Sequence, residues 1–114
     1  KGSELMGFVY GEAGKLMGLS SYHYTNKKYN LNYDHVKLAA DIQEENFKRT
    51  CELIKQAVDY RGLKNIILTG GVALNCVNNF KYVQKFKDIN FFIDPVPHDA
   101  GTAIGVALYC NDYK

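Results

Sequence analysis

Apolar and polar positions along this chain predict helices that alternate with two short strands. Between residues 34 and 60 the apolar side chains recur at steps of three and four, which is the spacing of one helix face. Asp34 suits the N-cap of this helix, and Gly62 stands just past its end, where a left-handed residue often closes a helix. The charged side chains on the other face are expected to be solvated. The apolar stripe consists of Val36, Ala39, Ala40, Phe47, Cys51, Ile54 and Val58.

Two short apolar runs predict β-strands, each followed by a helix. Residues 65–69 are almost continuously apolar, which is typical of a parallel strand buried on both faces by helices. Residues 90–93 form the second run, and two prolines stop it. Helices are predicted over 72–86 and 100–112, and the small side chains of the latter indicate close packing on the sheet. This order implies parallel strands, a right-handed crossover and an α/β fold.

The first third of the chain has a weaker pattern. Four glycines interrupt the apolar residues of 5–19, so only a short helix over 14–19 is predicted there. Residues 20–33 are polar and rich in tyrosine, which is typical of a loop.

Composition narrows the classes of function. The chain has 114 residues, of which 46% are hydrophobic, and this is typical of one folded domain. A formal net charge of +2 is too small to favour a nucleic-acid or membrane partner. Three widely spaced cysteines are typical of reduced thiols, so we expect a cytoplasmic protein. Because no methionine opens the chain, we expect a piece excised from a longer protein.

The pair Gly70-Gly71 stands at a predicted strand-to-helix turn that suits a phosphate. Such a turn points unpaired N–H groups outward, and the missing Cβ atoms allow close approach to the backbone. Asn75 lies one turn further on, and its amide suits a ribose hydroxyl or a phosphate oxygen. The alternative is an ordinary tight turn in which Asn75 caps the helix locally.

Asp99 stands after the second predicted strand and before the last helix. Ligands bind open α/β sheets at the carboxyl ends of the strands, where a carboxylate can hold a cation. The alternative is that Asp99 simply caps the helix over 100–112. His98 is expected to be a surface residue of the loop.

For several other candidate functional residues the sequence pattern is less specific. Glu12 and Lys15 lie in a glycine-rich turn, where they could hold a ribose and a phosphate or form an exposed ion pair. Cys76 has no base beside it in sequence, so we expect a buried structural thiol. His23 and His35 are too far apart for a metal pair on one helix face.

Three blocks, taken in order, resemble the NodU/CmcH-type carbamoyltransferases. The first is the Gly-Glu-x-Gly-Lys-Leu-Met-Gly-Leu-x-x-Tyr segment over 11–22, and the second is Leu-Thr-Gly-Gly-Val-Ala-Leu-Asn-Cys-Val-x-Asn over 68–79. The third is Asp-Ala-Gly-Thr-Ala-x-Gly-x-Ala-Leu-Tyr over 99–109. The chain departs from the family's usual residues at His23, at His98 and in the segment 78–80.

This resemblance implies a fold and an activity. The family's first domain has the actin-like ATPase (ASKHA) fold, of which residues 1–114 would be a single fragment, the C-terminal subdomain. The intact enzyme transfers a carbamoyl group from carbamoyl adenylate to an acceptor hydroxyl, and a separate YrdC-like domain makes that adenylate from carbamoyl phosphate and ATP. The remainder of the parent chain would be this fragment's partner, without which we expect no turnover.

The resemblance also implies roles for individual residues. The second block lies at the nucleotide in the family, the aspartate of the third block is a ligand of an iron-like divalent metal, and the first block lies near the ribose. The nucleotide-binding residues implied are Gly70, Gly71, Val72, Asn75 and Glu12, and the metal ligand implied is Asp99.

The same residues are also compatible with other functions. The chain is also compatible with a sugar kinase or a tRNA threonylcarbamoyl-adenosine synthase of the same fold superfamily. A non-catalytic nucleotide-binding module is a third possibility, which ligand binding without turnover would favour.

Overall fold

The computed structural model describes residues 13–24 and 33–112, in which four α-helices and two β-strands follow one another along the chain. The chain divides into two compact units, of which one ends at Leu53 and the other begins at Ile54. The boundary lies inside the helix Tyr33–Arg61. The α-helices are α1 Ala13–Ser20, α2 Tyr33–Arg61, α3 Cys76–Lys85 and α4 Gly101–Asp112, the strands are β1 Asn65–Leu68 and β2 Asn90–Ile93, and two 3₁₀ helices cover Ser21–Tyr24 and Gly71–Leu74.

Helix α1 and the first 3₁₀ helix lie in the first unit. The Ser20 hydroxyl donates to the Met17 carbonyl at 2.6 Å, and the Ser21 hydroxyl donates to the Gly18 carbonyl at 2.7 Å. The two serine hydroxyls thus donate to carbonyl groups in the last turn of α1, where carbonyls have no N–H partner within the helix. The short predicted helix is confirmed, whereas the predicted loop starts with a 3₁₀ turn over its first residues.

Helix α2 confirms the predicted amphipathic pattern. Its apolar stripe is buried or half-buried, and on the charged face the Arg49 Nε atom lies 2.7 Å from the Glu45 Oε1 atom. Asp34 lies inside the first turn rather than at the N-cap, because the helix begins at Tyr33. Gly62 has a φ of 65° and its N–H donates to the Val58 carbonyl at 2.7 Å, so the predicted left-handed closure is confirmed. None of the described helices combines the length and apolarity needed to cross a membrane.

Strands β1 and β2 pair in parallel, as the element order predicts. The register runs from Asn65 opposite Asn90 to Leu68 opposite Ile93. One further bond continues the ladder beyond β2, since the Asp94 N–H donates to the Leu68 carbonyl at 3.0 Å. The two strands therefore end together, at one edge of the second unit.

The covering of the sheet differs from the prediction. Ile67 is 70% exposed and Phe92 is 60% exposed, so one face of the sheet is open where burial on both faces was expected. On the other face Phe91 is half-buried, with its ring centroid 6.3 Å from that of Phe86 at the end of α3. Helix α4 was expected to pack closely on the sheet, but all its residues from Thr102 onward are exposed. The described elements of this unit therefore cover a single face.

Candidate functional site

Both predicted loops leave the sheet at the same edge. The strands are parallel, so the carboxyl ends of β1 and β2 are adjacent, and the two loops begin at Thr69 and Asp94. The Thr69 hydroxyl donates to the Asp94 Oδ2 atom at 3.1 Å, which joins the loops directly. The glycine pair and Asp99 thus follow neighbouring strand ends, the position where open α/β sheets bind ligands.

The glycine turn presents backbone donors. Gly70 has φ 80° and ψ 174°, a conformation that is almost confined to glycine, and its carbonyl accepts from the Ala73 N–H at 3.0 Å. The N–H groups of Gly71 and Val72 precede the first bond of the 3₁₀ helix and donate to no group in residues 13–24 and 33–112. Both residues are exposed. Two neighbouring N–H groups are therefore available to an anion.

The α-helix after the glycines was predicted to begin at residue 72, and this starting position is wrong. A four-residue 3₁₀ helix, Gly71–Leu74, comes first, and α3 begins only at Cys76. Asn75 separates the two because its Oδ1 atom accepts from the Asn78 N–H at 3.2 Å, which makes it the N-cap of α3. The local-cap alternative for Asn75 is thus observed, and the dipole of α3 does not begin at the glycine turn.

The side chain of a buried asparagine in α3 forms a hydrogen bond with the 3₁₀ helix. Asn79 is 7% exposed, and its Nδ2 atom donates to the Ala73 carbonyl at 2.7 Å. Its backbone N–H donates to the Asn75 carbonyl at 2.9 Å, so the same residue belongs to the first turn of α3. Sequence reasoning missed this role, although a polar residue among apolar positions of a helix was a usable signal.

The carboxylate of Asp99 is exposed and has no hydrogen bond or ion pair with the described residues. Just before α4, the His98 Nδ1 atom accepts from the Ala100 N–H at 3.2 Å, and the His98 carbonyl accepts from the Gly101 N–H at 2.9 Å. From Asp99 only the backbone carbonyl takes part, accepting from the Thr102 N–H at 3.2 Å and the Thr102 hydroxyl at 2.6 Å. The alternative that the Asp99 side chain caps the helix is therefore wrong, while His98 lies at the surface as expected.

The loop that leads to Asp99 is compact. The Asp94 Oδ1 atom accepts from the Val96 N–H at 2.9 Å, and the Val96 carbonyl oxygen lies 2.3 Å from the position of a Cβ atom built on Gly101. Gly101 therefore allows the backbone of α4 to approach the loop at a distance that no other residue type permits.

The remaining candidate residues are described one by one. Glu12 lies outside them, and Lys15 is exposed on α1. Cys76 is exposed at the first position of α3, so its expected burial is wrong. In the described ranges no group of three His, Cys, Asp or Glu side chains is placed to hold a metal ion.

The sequence pattern of a known family covers most of the chain. The family described as "Carbamoyltransferase N-terminus" matches residues 16–108. The chain belongs to the carbamoyltransferase N-terminus family. The match includes the glycine turn and Asp99, the two features at the shared strand edge. The expected membership of the carbamoyltransferases is confirmed.

Three relatives are similar to this chain over a small part of their own length. It is 44% identical over 71 residues to the uncharacterized protein sll1178 of Synechocystis sp., covering 62% of this chain and 12% of the relative. It is 36% identical over 80 residues to the nodulation protein NolNO of Sinorhizobium fredii, covering 68% and 12%. It is 37% identical over 76 residues to the nodulation protein NolO of Bradyrhizobium diazoefficiens, covering 65% and 14%. The chain thus spans about an eighth of these relatives. No solved structure matches it.

We expect Gly70→Ala to destabilise this carbamoyltransferase segment by about 1–3 kcal/mol, because a Cβ atom strains the backbone at φ 80°. Gly71→Ala is the matched control, since a Cβ atom there meets nothing within 4 Å and its φ is not positive. Urea unfolding of the two variants measures the difference. Equal stabilities would contradict the strain assigned to Gly70.

Proposed function

We propose that the chain is part of an O-carbamoyltransferase, which transfers a carbamoyl group from carbamoyl adenylate to the hydroxyl of a small acceptor molecule. One observation carries the proposal. The N–H groups of Gly71 and Val72 and the carboxylate of Asp99 bond to none of the described residues, and they follow adjacent parallel strands at one edge. Membership of the carbamoyltransferase N-terminus family supports it. Because the chain spans 12–14% of its curated relatives, the activity is proposed for the longer protein.

We further propose that the second unit belongs to the C-terminal subdomain of an actin-like ATPase (ASKHA) fold. The parallel pairing of β1 with β2 and the helix after each strand support this assignment. In the proposed parent enzyme, other parts of the polypeptide cover the open sheet face at Ile67 and Phe92 and the exposed helix α4. The remainder of that polypeptide would thus complete both the core and the site.

The glycine turn would hold the phosphate of the adenylate. In the proposed transfer, the acceptor oxygen attacks the carbamoyl carbon and releases its proton to solvent, while the bond from that carbon to the adenylate phosphate oxygen breaks. AMP leaves with the bonding electron pair on its phosphate. The Gly71 and Val72 N–H groups would donate to that oxyanion and stabilise the developing charge, since both residues are exposed and neither N–H donates to a described residue.

Asn75 and Glu12 complete the proposed nucleotide contacts. Asn75 lies between the 3₁₀ helix and α3, with its Oδ1 atom engaged at the Asn78 N–H. Glu12 would bind the ribose hydroxyls, a role that rests on the family resemblance alone.

Asp99 fits the role of one metal ligand. Its carboxylate is exposed and makes no bond with the described residues, so it is free to bind a hard or borderline cation. Since the described residues hold no group of three ligands, the other ligands of an iron-like divalent metal would come from elsewhere in the longer protein. When bound, such a cation supplies Lewis-acid polarisation of the carbamoyl carbonyl.

The proposal is tested with the full-length protein by calorimetric titration with AMP and ATP, and by following AMP formation from ATP in the presence of carbamoyl phosphate. We expect nucleotide binding and AMP formation that depends on carbamoyl phosphate. Binding without any turnover would favour a non-catalytic module. Phosphoryl transfer from ATP to a sugar would favour a kinase of the same fold. Either result would overturn carbamoyl transfer.

The Gly71→Ala variant tests the position of the phosphate. We expect it to weaken AMP binding by about tenfold or more, because the added methyl group occupies the space through which the phosphate reaches the backbone donors. Gly105→Ala is the control, since its Cβ atom also meets nothing within 4 Å but lies within α4. Equal dissociation constants for the two variants would place the nucleotide elsewhere.

A further inference from the structure

We propose that Asp94 is a positioning residue for this site. Its carboxylate fixes the separation between the glycine turn and the loop that bears Asp99, through one bond to each. The inference rests on the proposed function, and it adds a residue to which neither the sequence motifs nor the family resemblance gave a role.

The two oxygens of Asp94 bind two different segments. Oδ2 accepts from the Thr69 hydroxyl at 3.1 Å, on the residue directly before Gly70. Oδ1 accepts from the Val96 N–H at 2.9 Å, within its own loop. The backbone N–H of Asp94 also donates to the Leu68 carbonyl at 3.0 Å, which holds the residue against the end of β1. One half-buried side chain therefore joins both strand-to-helix connections.

Each bond acts on a group that is proposed to contact the ligand. On the β1 side, Thr69 is joined to Gly70, whose strained backbone sets the direction of the following N–H donors. On the β2 side, the turn at Val96 brings the carbonyl of that residue against Gly101, and Asp99 lies between these two positions. If either bond of the Asp94 carboxylate is lost, the distance between the N–H donors of the glycine turn and Asp99 is no longer fixed.

The chemistry of Asp94 allows a matched set of variants. Thr69→Val keeps the shape of the side chain and removes the donor, whereas Thr69→Ser keeps the hydroxyl. Asp94→Ala removes both bonds of the carboxylate. Asp94→Asn retains an oxygen for the Val96 N–H and presents an amide nitrogen that can donate to the Thr69 hydroxyl, so the contact survives with its direction reversed.

The experiment uses the full-length protein, with the dissociation constant for AMP and the thermal unfolding midpoint measured for each variant. We expect Thr69→Val to weaken AMP binding by about tenfold, with little change in the midpoint because the lost bond is exposed. Thr69→Ser and Asp94→Asn are expected to bind AMP within about twofold of the unsubstituted protein, since one hydrogen bond replaces another. Asp94→Ala is expected to bind at least as weakly as Thr69→Val.

The outcomes separate this inference from the proposed function. If the unsubstituted protein binds AMP and Thr69→Val binds it equally well, the positioning role is overturned and the proposed function stands. A lowered midpoint with unchanged AMP affinity would make the bond merely structural, which also overturns it. If the unsubstituted protein binds no AMP, the proposed function fails and the inference fails with it. Should Asp94→Ala not fold, the Thr69 pair and Asp94→Asn decide the question.

Discussion

Replacing Asp99 by alanine in the full-length protein is expected to lower carbamoyl transfer by about a hundredfold or more, while the thermal unfolding midpoint of the metal-free protein stays unchanged. The carboxylate is exposed and makes no contact in the described part of the chain, so its loss removes no stabilising interaction. The proposed metal would lose one ligand, and with it the polarisation of the carbamoyl carbonyl. Metal content per protein, determined by elemental analysis, is expected to fall together with activity.

Asp88→Ala is the matched control for this prediction. Asp88 is also an exposed aspartate, and it lies in the turn before β2, at the opposite end of the strand from Asp99. We expect the control to keep its metal and its activity. Full metal content in Asp99→Ala would contradict the ligand assignment. An equal loss in both variants would show that net charge matters rather than the position of this carboxylate.

Gly101→Ala is expected to destabilise the chain by about 1–3 kcal/mol, the usual cost of inserting a methyl group where there is no space. The added Cβ atom would lie 2.3 Å from the Val96 carbonyl oxygen, so the loop and the start of α4 must move apart. A backbone atom cannot rotate away as the end of a flexible side chain can. Urea unfolding of the 114-residue chain measures the loss.

Gly105→Ala provides the control within the same helix. A Cβ atom at Gly105 meets nothing within 4 Å, and the residue is exposed in the interior of α4. Alanine is the better helix former, so this variant is expected to stabilise the chain by up to about 1 kcal/mol. The two substitutions are chemically identical and should differ in sign. Destabilisation by both would contradict the steric explanation for Gly101.

The helices and strands were largely predictable because their signals are local. The three-and-four spacing of Val36, Ala40 and Ile54 predicted α2, and the apolar runs of β1 and β2 predicted parallel strands, which the structure confirms. The first helix after the glycines was misplaced because Asn75 caps its own turn, and this competes with continuing the helix back to Gly71. Whether Asn75 caps the helix or faces a ligand depends on the direction of its side chain, which its position in the sequence does not show.

The candidate site was predictable in its members but not in its connections. Gly70, Gly71 and Asp99 stood out through their places after the two strands, and their assignment to a nucleotide and a metal stays a prediction. The bond between Thr69 and Asp94 joins residues 25 positions apart, for which the sequence has no periodic signal. Likewise, the sequence does not show that the Ala100 N–H donates to the His98 side chain rather than to Asp99, because this depends on which side chain turns toward that N–H.

Local patterns in the amino-acid sequence were sufficient to predict the order of the helices and strands and the parallel direction of the strands, because apolar spacing acts over a few neighbouring residues. The three-dimensional arrangement was needed to show that Ile67 and Phe92 leave one sheet face open and that the Asp99 carboxylate bonds to none of the described residues. It alone also placed the Thr69 hydroxyl within 3.1 Å of Asp94. Burial and hydrogen bonding between distant residues depend on how the chain is brought together, since each requires partner atoms within a few ångströms.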